Sequence, residues 1–316
     1  MSLAFVFPGQ GSQAVGMGQA LAEAFPVARE VFEEVDDALE QGLSRLMLTG
    51  PEEELRLTAN AQPALMAVSM AVVRVLESEG NWRLGDKAAF VAGHSLGEYS
   101  ALAAAGSLQL ADAARLLRRR GEAMQAAVPV GEGTMAALLG LDLETAQAVA
   151  EEAAAQGQGE VCAAANDNAP GQVVISGHTA AVERACEIAK AKGAKRALLL
   201  PVSAPFHCSL MAPAAEVMAE ALAGVEIAMP AVPLVANVTA SHLSDPAEIR
   251  RKLVEQVTGM VRWRESVAYM AGQGVETVVE LGAGKVLSGL TKRIDRSLAS
   301  HSVETPQDVE AILGLI

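Results

Sequence analysis

The feature that most constrains this chain is a G-x-S-x-G pattern formed by Gly93, Ser95 and Gly97. An apolar run before it, 88–92, predicts a buried strand, and the alanine- and leucine-rich segment after it, 98–105, predicts a helix. A serine on so tight a turn needs glycine two positions before and after it, because a side chain there would clash. The pattern therefore predicts a raised hydroxyl beside the N–H groups of a helix N-terminus.

Two other glycine loops follow predicted strands. Leu3–Phe7 leads into Gly9-x-Gly11, part of a dinucleotide-binding pattern, but 29–39 looks helical where a second strand ending in an acidic residue belongs. Such a loop also brings a backbone N–H close to a ligand, which a serine elbow needs from a separate segment. The second loop, 282–285, ends in Gly-Lys like a P-loop, but valine stands where a P-loop has its first glycine and where it has Ser or Thr after the lysine. We therefore predict no nucleotide site.

The composition of the chain limits which binding partners and which cellular compartment are expected. Of the 316 residues, 51% are hydrophobic and 20% charged, which is typical of a globular chain with a large core, and the net charge is −14. This charge favours neither nucleic acid nor an anionic membrane as partner, and no apolar run approaches the length of a membrane span. The chain opens without a basic signal segment. We expect a cytoplasmic protein with no zinc site and no disulfide frame, because the cysteines are three and widely spaced: Cys162, Cys186 and Cys208.

The order of predicted elements divides the chain into two domains. Residues 129–203 give the order β-α-β-β-α-β of a ferredoxin-like unit, with 166–171 as the turn between its middle strands. On both sides of this unit, strands and helices alternate as in a parallel α/β sheet. We predict an α/β fold: a large α/β-hydrolase-like domain with a parallel-sheet core (1–128 and 204–316), and an inserted ferredoxin-like subdomain (129–203).

A histidine near the second domain junction is a candidate partner for the serine. Pro205 stiffens the approach to His207, and a junction between domains is a natural wall for a cleft. We therefore expect His207 to activate Ser95. By contrast, we expect His94 to point away from the site and Cys208 to be a buried thiol. Without a base, Ser95 would be only a helix N-cap.

Arg120 is the third candidate. Residues three and four positions away from it are apolar, so its guanidinium faces a core: Leu116, Leu117, Ala123 and Met124. A buried cation needs an anionic partner, because an unpaired buried charge is costly. That partner is either a structural Glu or Asp or a carboxylate of the substrate, and the residue types leave both open.

Several segments in this order resemble the malonyl-CoA:acyl carrier protein transacylase family of bacterial fatty acid synthesis. Each is short, but together they cover essentially the whole chain, which makes the resemblance specific. At one position the chain departs from the family pattern, because Phe206 stands where a small polar residue is common. The segments are 7–13 (FPGQGSQ), 93–98 (GHSLGE), Arg120, 166–177 (NDNAPGQVVISG), Pro205-x-His207, 261–263 (VRW) and 280–284 (ELGxG).

The resemblance implies an acyltransferase that works in two half-reactions. Ser95 is the implied nucleophile, and His207 is the base, oriented by a main-chain carbonyl near Gln256 with no aspartate needed. The main-chain N–H groups of Gln10 and Leu96 are the implied oxyanion hole.

The resemblance also implies the substrates. Arg120, with Gln256 nearby, is the implied binding site for the malonyl carboxylate. The malonyl group passes from coenzyme A to the phosphopantetheine thiol of acyl carrier protein, and we expect a monomer with no metal and no tightly bound cofactor. Because the carrier protein of the family is acidic, we expect a basic docking patch: Lys195, Arg196, Lys292 and Arg293.

Two alternative functions are weighed against this one. A serine esterase or thioesterase shares the elbow but uses Ser, Asp or Glu, and His in chain order, and Asp167 would be its acid. A non-catalytic module that binds carrier protein is expected to lack Ser95, His207 or Arg120, and all three are present.

Overall fold

The computed structural model describes residues 2–316 as ten strands and fifteen α-helices. The strands are β1 (Leu3–Phe7), β2 (Ala88–Gly93), β3 (Gly133–Leu139), β4 (Cys162–Ala169), β5 (Gln172–His178), β6 (Arg196–Leu199), β7 (Leu234–Ala236), β8 (Ser241–Leu243), β9 (Thr277–Leu281) and β10 (Ala299–Val303). The helices are α1 (Gln19–Ala24), α2 (Pro26–Leu39), α3 (Leu43–Thr49), α4 (Glu52–Arg56), α5 (Thr58–Gly80), α6 (Leu84–Lys87), α7 (Gly97–Ala104), α8 (Leu110–Ala126), α9 (Leu143–Ala155), α10 (Thr179–Ala191), α11 (Ala212–Ala223), α12 (Pro246–Thr258), α13 (Trp263–Gly272), α14 (Val286–Ile294) and α15 (Pro306–Leu313).

Six strands form a large sheet in the order β10-β9-β1-β2-β7-β8, parallel as far as β7 and antiparallel between β7 and β8. Every residue of β1 is buried, and its side chains alternate between two hydrophobic cores. Phe5 and Phe7 belong to one core, and Ala4 and Val6 to the other. A parallel sheet covered on both faces requires such a continuous apolar strand. The predicted α/β fold with a parallel-sheet core is confirmed.

Within residues 2–316, α5 is the one helix long and apolar enough to span a membrane, which the sequence analysis did not anticipate. Its most apolar window is 89% buried inside the protein, so other elements cover it. The helix begins at Thr58. Pro63 by itself favours a helix that begins at position 63, because proline weakens the helical turn before it. Packing compensates: Gly121 of α8 lies so close that a Cβ there would come within 2.5 Å of Cα of Ala59.

The other four strands form an antiparallel sheet in the order β4-β5-β3-β6. Side chains of α9 and α10 share a core with alternate residues of this sheet, so the helices cover one face. The chain order β3-α9-β4-β5-α10-β6 with this strand order is the predicted ferredoxin-like unit. Its strands all lie inside 129–203, and the domain boundaries themselves stay a prediction.

The strand β4 is longer than the sequence predicted. A turn was expected at 166–171, but 166–169 belong to β4. The N–H of Asp167 donates to the carbonyl oxygen of Val261 over 2.9 Å, and its carboxylate lies 2.7 Å from Arg264. These contacts with distant residues hold the segment extended, and local composition does not reveal them. They also join the small sheet to the rest of the protein.

Candidate active site

Ser95 lies on the turn between β2 and α7. Its φ is 53°, in the left-handed region that residues with a side chain rarely adopt. A Cβ at Gly93 would lie 1.9 Å from the main chain of Gly97, and a Cβ at Gly97 would lie 2.3 Å from the carbonyl oxygen of Phe7. The fold therefore requires glycine at both positions, as the pattern predicted.

The hydroxyl of Ser95 lies 2.7 Å from Nε2 of His207. Nδ1 of the same ring lies 2.9 Å from the carbonyl oxygen of Gln256 and 3.1 Å from that of Gly259. Because a carbonyl only accepts, Nδ1 carries the proton, and Nε2 is free to accept one from the hydroxyl. Burial, reinforced by the charge of Arg120, lowers the pKa of His207 to about 3, so the ring is neutral at pH 7.

Arg120 is buried beside the same hydroxyl, with 1% of its surface exposed. Nη1 donates to Oε1 of Gln62 over 2.8 Å. Nη2 donates to Oε1 of Gln256 over 2.7 Å and to Oγ of Ser95 over 3.1 Å. Nε has no partner among the described residues, and the ring of Tyr99 lies 5.8 Å from the guanidinium carbon. Within residues 2–316 no carboxylate forms an ion pair with this cation.

Gln10 and Leu96 bring main-chain N–H groups to the site from two segments. Gln10 follows β1, and its side-chain oxygen accepts a hydrogen bond of 2.8 Å from Thr58, which ties this loop to α5. Leu96 is the N-cap of α7. In the part of the chain that the structure describes, neither N–H donates to a protein acceptor, so both are available to a ligand.

These groups meet in a cavity of about 370 Å³. His94 lines it too, which corrects the expectation that this ring points away: Nε2 makes a 2.8 Å hydrogen bond with Oδ1 of Asn168 on β4, and Trp263 packs against the ring. Cys208 is buried as expected, with its thiol 3.2 Å from a main-chain carbonyl. Apolar side chains from both domains complete the wall: Met124, Met135, Val174, Leu200, Val202 and Phe206.

The four basic residues predicted to dock a partner are all exposed. Arg196 on β6 pairs with Leu139 on β3, which pairs on its other side with Gln172 on β5. The side-chain oxygen of Gln172 accepts a hydrogen bond from Arg293 of α14. The two arginines thus lie at the same end of the small sheet, and their chain neighbours complete the set: Lys195 and Lys292.

Comparison with known proteins places this site in a family. The sequence matches the acyl transferase domain family over residues 4–315. It is 50% identical over 312 residues to the malonyl CoA-acyl carrier protein transacylase of Escherichia coli (strain K12), with 99% of each chain covered. The chain belongs to the malonyl CoA-acyl carrier protein transacylase family. The resemblance found in the sequence is therefore confirmed.

Solved structures of transacylases agree with this assignment. The fold matches the acyl-carrier-protein-S-malonyltransferase of Bartonella henselae with a TM-score of 0.96 at 57% identity, covering 100% of this chain and 99% of that one. It matches a malonyl-transacylase, solved in complex with a type II PKS acyl-carrier protein, with a TM-score of 0.96 at 46% identity and 100% coverage of both chains.

Across residues 2–316, no aspartate or glutamate completes a Ser-Asp-His triad with Ser95 and His207. Both carboxylate oxygens of Asp167 accept from Nε of Arg264, at 2.8 and 3.1 Å, so this acid does not orient His207. Two main-chain carbonyls orient the ring instead. Among the described residues, no group of three or more His, Cys, Asp or Glu is arranged to hold a metal ion.

Sequence reasoning missed four polar residues that hold the transacylase site together. Only one left a local signal: Glu98 is an acidic residue directly after the G-x-S-x-G pattern, at the start of a segment predicted to be buried. It lies fully inside the protein and bonds residues far along the chain. The four residues are Gln62, Glu98, Asn168 and Asn237.

Proposed function

We propose that this protein transfers a malonyl group from malonyl-CoA to the phosphopantetheine thiol of acyl carrier protein, through a malonyl-Ser95 intermediate, for fatty acid synthesis. One observation carries the proposal: a single hydroxyl oxygen lies 2.7 Å from His207 and 3.1 Å from the unpaired cation of Arg120. Any serine acyltransferase or hydrolase needs the first contact. The contact with Arg120 is explained by an acyl group that ends in a carboxylate, because the cation beside Ser95 can bind that carboxylate.

In the first half-reaction, Nε2 of His207 accepts the proton of Ser95 while Oγ bonds to the thioester carbonyl carbon. The N–H groups of Gln10 and Leu96 stabilise the negative charge on the carbonyl oxygen, and such a donor contributes on the order of 10²–10³ in rate. The carbon–sulfur bond then breaks, and the coenzyme A sulfur leaves as a thiol with the proton from His207. The pantetheine thiol attacks the acyl-serine by the same steps in the opposite direction.

Arg120 supplies selectivity for a dicarboxylic half-ester. Its hydrogen-bond partners in the protein are neutral amide and hydroxyl groups, and Glu98 acts on it only through space, so no direct ion pair compensates the buried charge. The free carboxylate of the malonyl group offers that compensation through charge-assisted hydrogen bonds. An acetyl group has no such carboxylate, so the buried cation supports a carboxylated acyl donor for this site.

Acyl carrier protein docks, in this proposal, on the exposed basic residues at the end of the small sheet. The protein as a whole is acidic, with a net charge of −14, so an acidic partner needs a local basic surface. Met135 lines the cavity, and Leu139, beside Arg196, lies four residues further along β3, or about 13 Å away. The malonyl-transacylase that matches this fold with a TM-score of 0.96 has been solved in complex with an acyl-carrier protein. We infer a monomer that needs no tightly bound cofactor, because one chain supplies every group of the site. We infer a cytoplasmic location because the three cysteines are unpaired.

Intact mass spectrometry tests the reaction. After incubation with malonyl-CoA alone, we expect one malonyl mass on the protein, mapped to Ser95 by peptide analysis, and its loss when carrier protein bearing phosphopantetheine is added. Ser95→Ala is the matched control and should remain unlabelled. An adduct on Cys208, or none, would contradict the intermediate. Release by water at the same rate as by carrier protein would favour a thioesterase.

Charge reversal tests the docking surface separately. We expect Arg196→Glu and Arg293→Glu each to raise the KM for carrier protein about tenfold, while acylation by malonyl-CoA stays unchanged. Arg74→Glu, an exposed change on α5, is the control and should leave both half-reactions unchanged. Unchanged KM values in both patch variants would place docking elsewhere.

A further inference from the structure

The main chain of Ser95 is held from both sides by side chains. Its N–H donates to Oδ1 of Asn237 over 2.8 Å, and its carbonyl oxygen accepts from Nε2 of Gln256 over 2.8 Å. Nδ2 of Asn237 also donates to the carbonyl oxygen of Gly93 over 2.7 Å. These residues lie 142 and 161 positions beyond Ser95, so the C-terminal part of the chain fixes the elbow.

Both holding residues bind one carboxylate, that of Glu98. Oε1 accepts from the main-chain N–H of Asn237, and Oε2 accepts from Nε2 of Gln256, each over 2.5 Å. Glu98 is 2% exposed. Among the hydrogen bonds of residues 2–316, its carboxylate has none to the hydroxyl of Ser95 or to His207. Its influence on the nucleophile therefore passes through other residues.

In its ionised form, which dominates above its raised pKa of about 7, Glu98 accepts hydrogen bonds and does not donate them, so it determines which end of an amide faces it. Gln256 turns Nε2 toward Glu98 and toward the carbonyl oxygen of Ser95. This leaves Oε1 of Gln256 to accept from Nη2 of Arg120 over 2.7 Å. One buried acid thus orients groups on both sides of the nucleophile.

We propose that Glu98 is a positioning residue that acts through Asn237 and Gln256 to hold Ser95 where its hydroxyl meets His207. The inference rests on the proposed role of Ser95 as nucleophile. Glutamine at position 98 has one acceptor and one donor facing two donors, so one of the two hydrogen bonds is lost in either amide orientation. The residue that loses this bond, Asn237 or Gln256, then holds the main chain of Ser95 less firmly.

The test measures how fast phenylmethylsulfonyl fluoride modifies Ser95, because that reaction needs neither a malonyl group nor a carrier protein. Oγ bonds to sulfur, fluoride leaves, and the hydroxyl proton passes to His207. We expect Glu98→Gln to slow this modification about 10- to 100-fold, the penalty of a small misplacement of a reacting group. We expect kcat with malonyl-CoA and with acetyl-CoA to fall by a similar factor, because the nucleophile itself is displaced.

Glu280→Gln is the matched control. Glu280 is equally buried and also accepts from main-chain N–H groups, those of Leu287 and Ser288, on another part of the sheet. This variant should keep the wild-type rate of modification. If Glu98→Gln does not fold by near-ultraviolet circular dichroism, Glu98→Asp replaces it, since it keeps the charge but reaches one methylene less; we expect at least about threefold slower modification.

Two results would overturn the proposal: a folded position-98 variant modified at the wild-type rate, or an equal slowing in Glu280→Gln. A different result would contradict the proposed function: the wild-type protein would carry no malonyl mass on Ser95. Sulfonyl fluoride modification would still report whether Glu98 positions that serine.

Discussion

Nη2 of Arg120 donates a hydrogen bond of 3.1 Å to Oγ of Ser95, the same oxygen that lies 2.7 Å from His207. A fixed cation therefore touches the nucleophile before any substrate is bound. The charge of Arg120 is the second cause of the low pKa of His207, and burial is the first. A carboxylate that binds Arg120 offsets this charge, so it also restores basicity to His207. In the proposed mechanism, recognition of the acyl group by Arg120 and activation of Ser95 by His207 are therefore linked.

Replacement of Arg120 by alanine should separate malonyl from acetyl transfer. The lost charge-assisted hydrogen bonds to the malonyl carboxylate predict a fall in kcat/KM for malonyl-CoA of about 10²–10³. Acetyl-CoA has no such carboxylate, and loss of the charge also raises the basicity of His207, so its kcat/KM should not fall by more than about threefold. Steady-state kinetics with both donors measure the ratio. Arg119→Ala, the exposed neighbour on α8, should change neither. Equal losses with both donors would show that Arg120 does not select the acyl group.

Replacement of Gly93 by alanine should destroy the elbow. The added Cβ would lie 1.9 Å from main-chain atoms of Gly97, and a backbone clash has no flexible side chain to move aside. We expect the free energy of unfolding to fall by about 3 kcal/mol or more. Gly289→Ala is the control, because a Cβ at that exposed helical position meets nothing within 4 Å and should stabilise α14 by about 0.5 kcal/mol. Urea titrations of both variants compare them; similar stabilities would contradict the steric requirement.

The elbow was predictable because its constraints are local. Gly93, Ser95 and Gly97 are close in sequence, and the clash that demands glycine at position 93 is with Gly97; only the clash at position 97 involves a distant residue, Phe7. Alternation of strands and helices likewise revealed the parallel sheet and the ferredoxin-like order. His207 could be proposed from Pro205 and its place at a domain junction, although its partner carbonyl needed the family resemblance.

The network around the elbow was not predictable because its partners lie far apart in sequence. Asn237 reaches Ser95 across 142 positions, and nothing in the residues around Asn237 marks that contact. The turn expected at 166–171 failed for the same reason, since pairing with Val261 overrides the local preference of Asn and Asp for turns. The short strands β8 and β10 also escaped notice, because partly exposed residues interrupt any apolar run there.

Removal of the Arg264 side chain should loosen the junction between the two sheets. Asp167 is 1% exposed, and Arg264→Ala leaves its buried carboxylate without its ion-pair partner. Because the arginine itself is 35% exposed, we expect a loss of about 2 kcal/mol in the free energy of unfolding, less than for a fully buried pair. Arg56→Ala breaks an exposed pair with Glu52 and should cause no measurable change. Equal stabilities of the two variants would show that the junction does not depend on this ion pair.

The buried acid behind the elbow should make stability depend on pH in a characteristic direction. Burial raises the pKa of Glu98 to about 7, against the opposing effects of Asn237, Gln256 and the charge of Arg120. A carboxyl group whose folded-state pKa is raised contributes stability that is fully present below its ordinary pKa of about 4.5 and is lost as pH rises through about 7. Glutamine at this position does not titrate.

The free energy of unfolding of the wild-type protein, minus that of Glu98→Gln, should therefore decrease as pH rises. We expect a decrease of about 2 kcal/mol between pH 5 and pH 8.5, measured by urea titration at several pH values. Groups common to both proteins cancel in this difference, so the titrations of His207 and Tyr99 do not contribute to first order. A difference that is constant, or that grows with pH, would mean that the folded protein does not raise the pKa of Glu98, and that hydrogen bonding rather than burial dominates at this carboxylate.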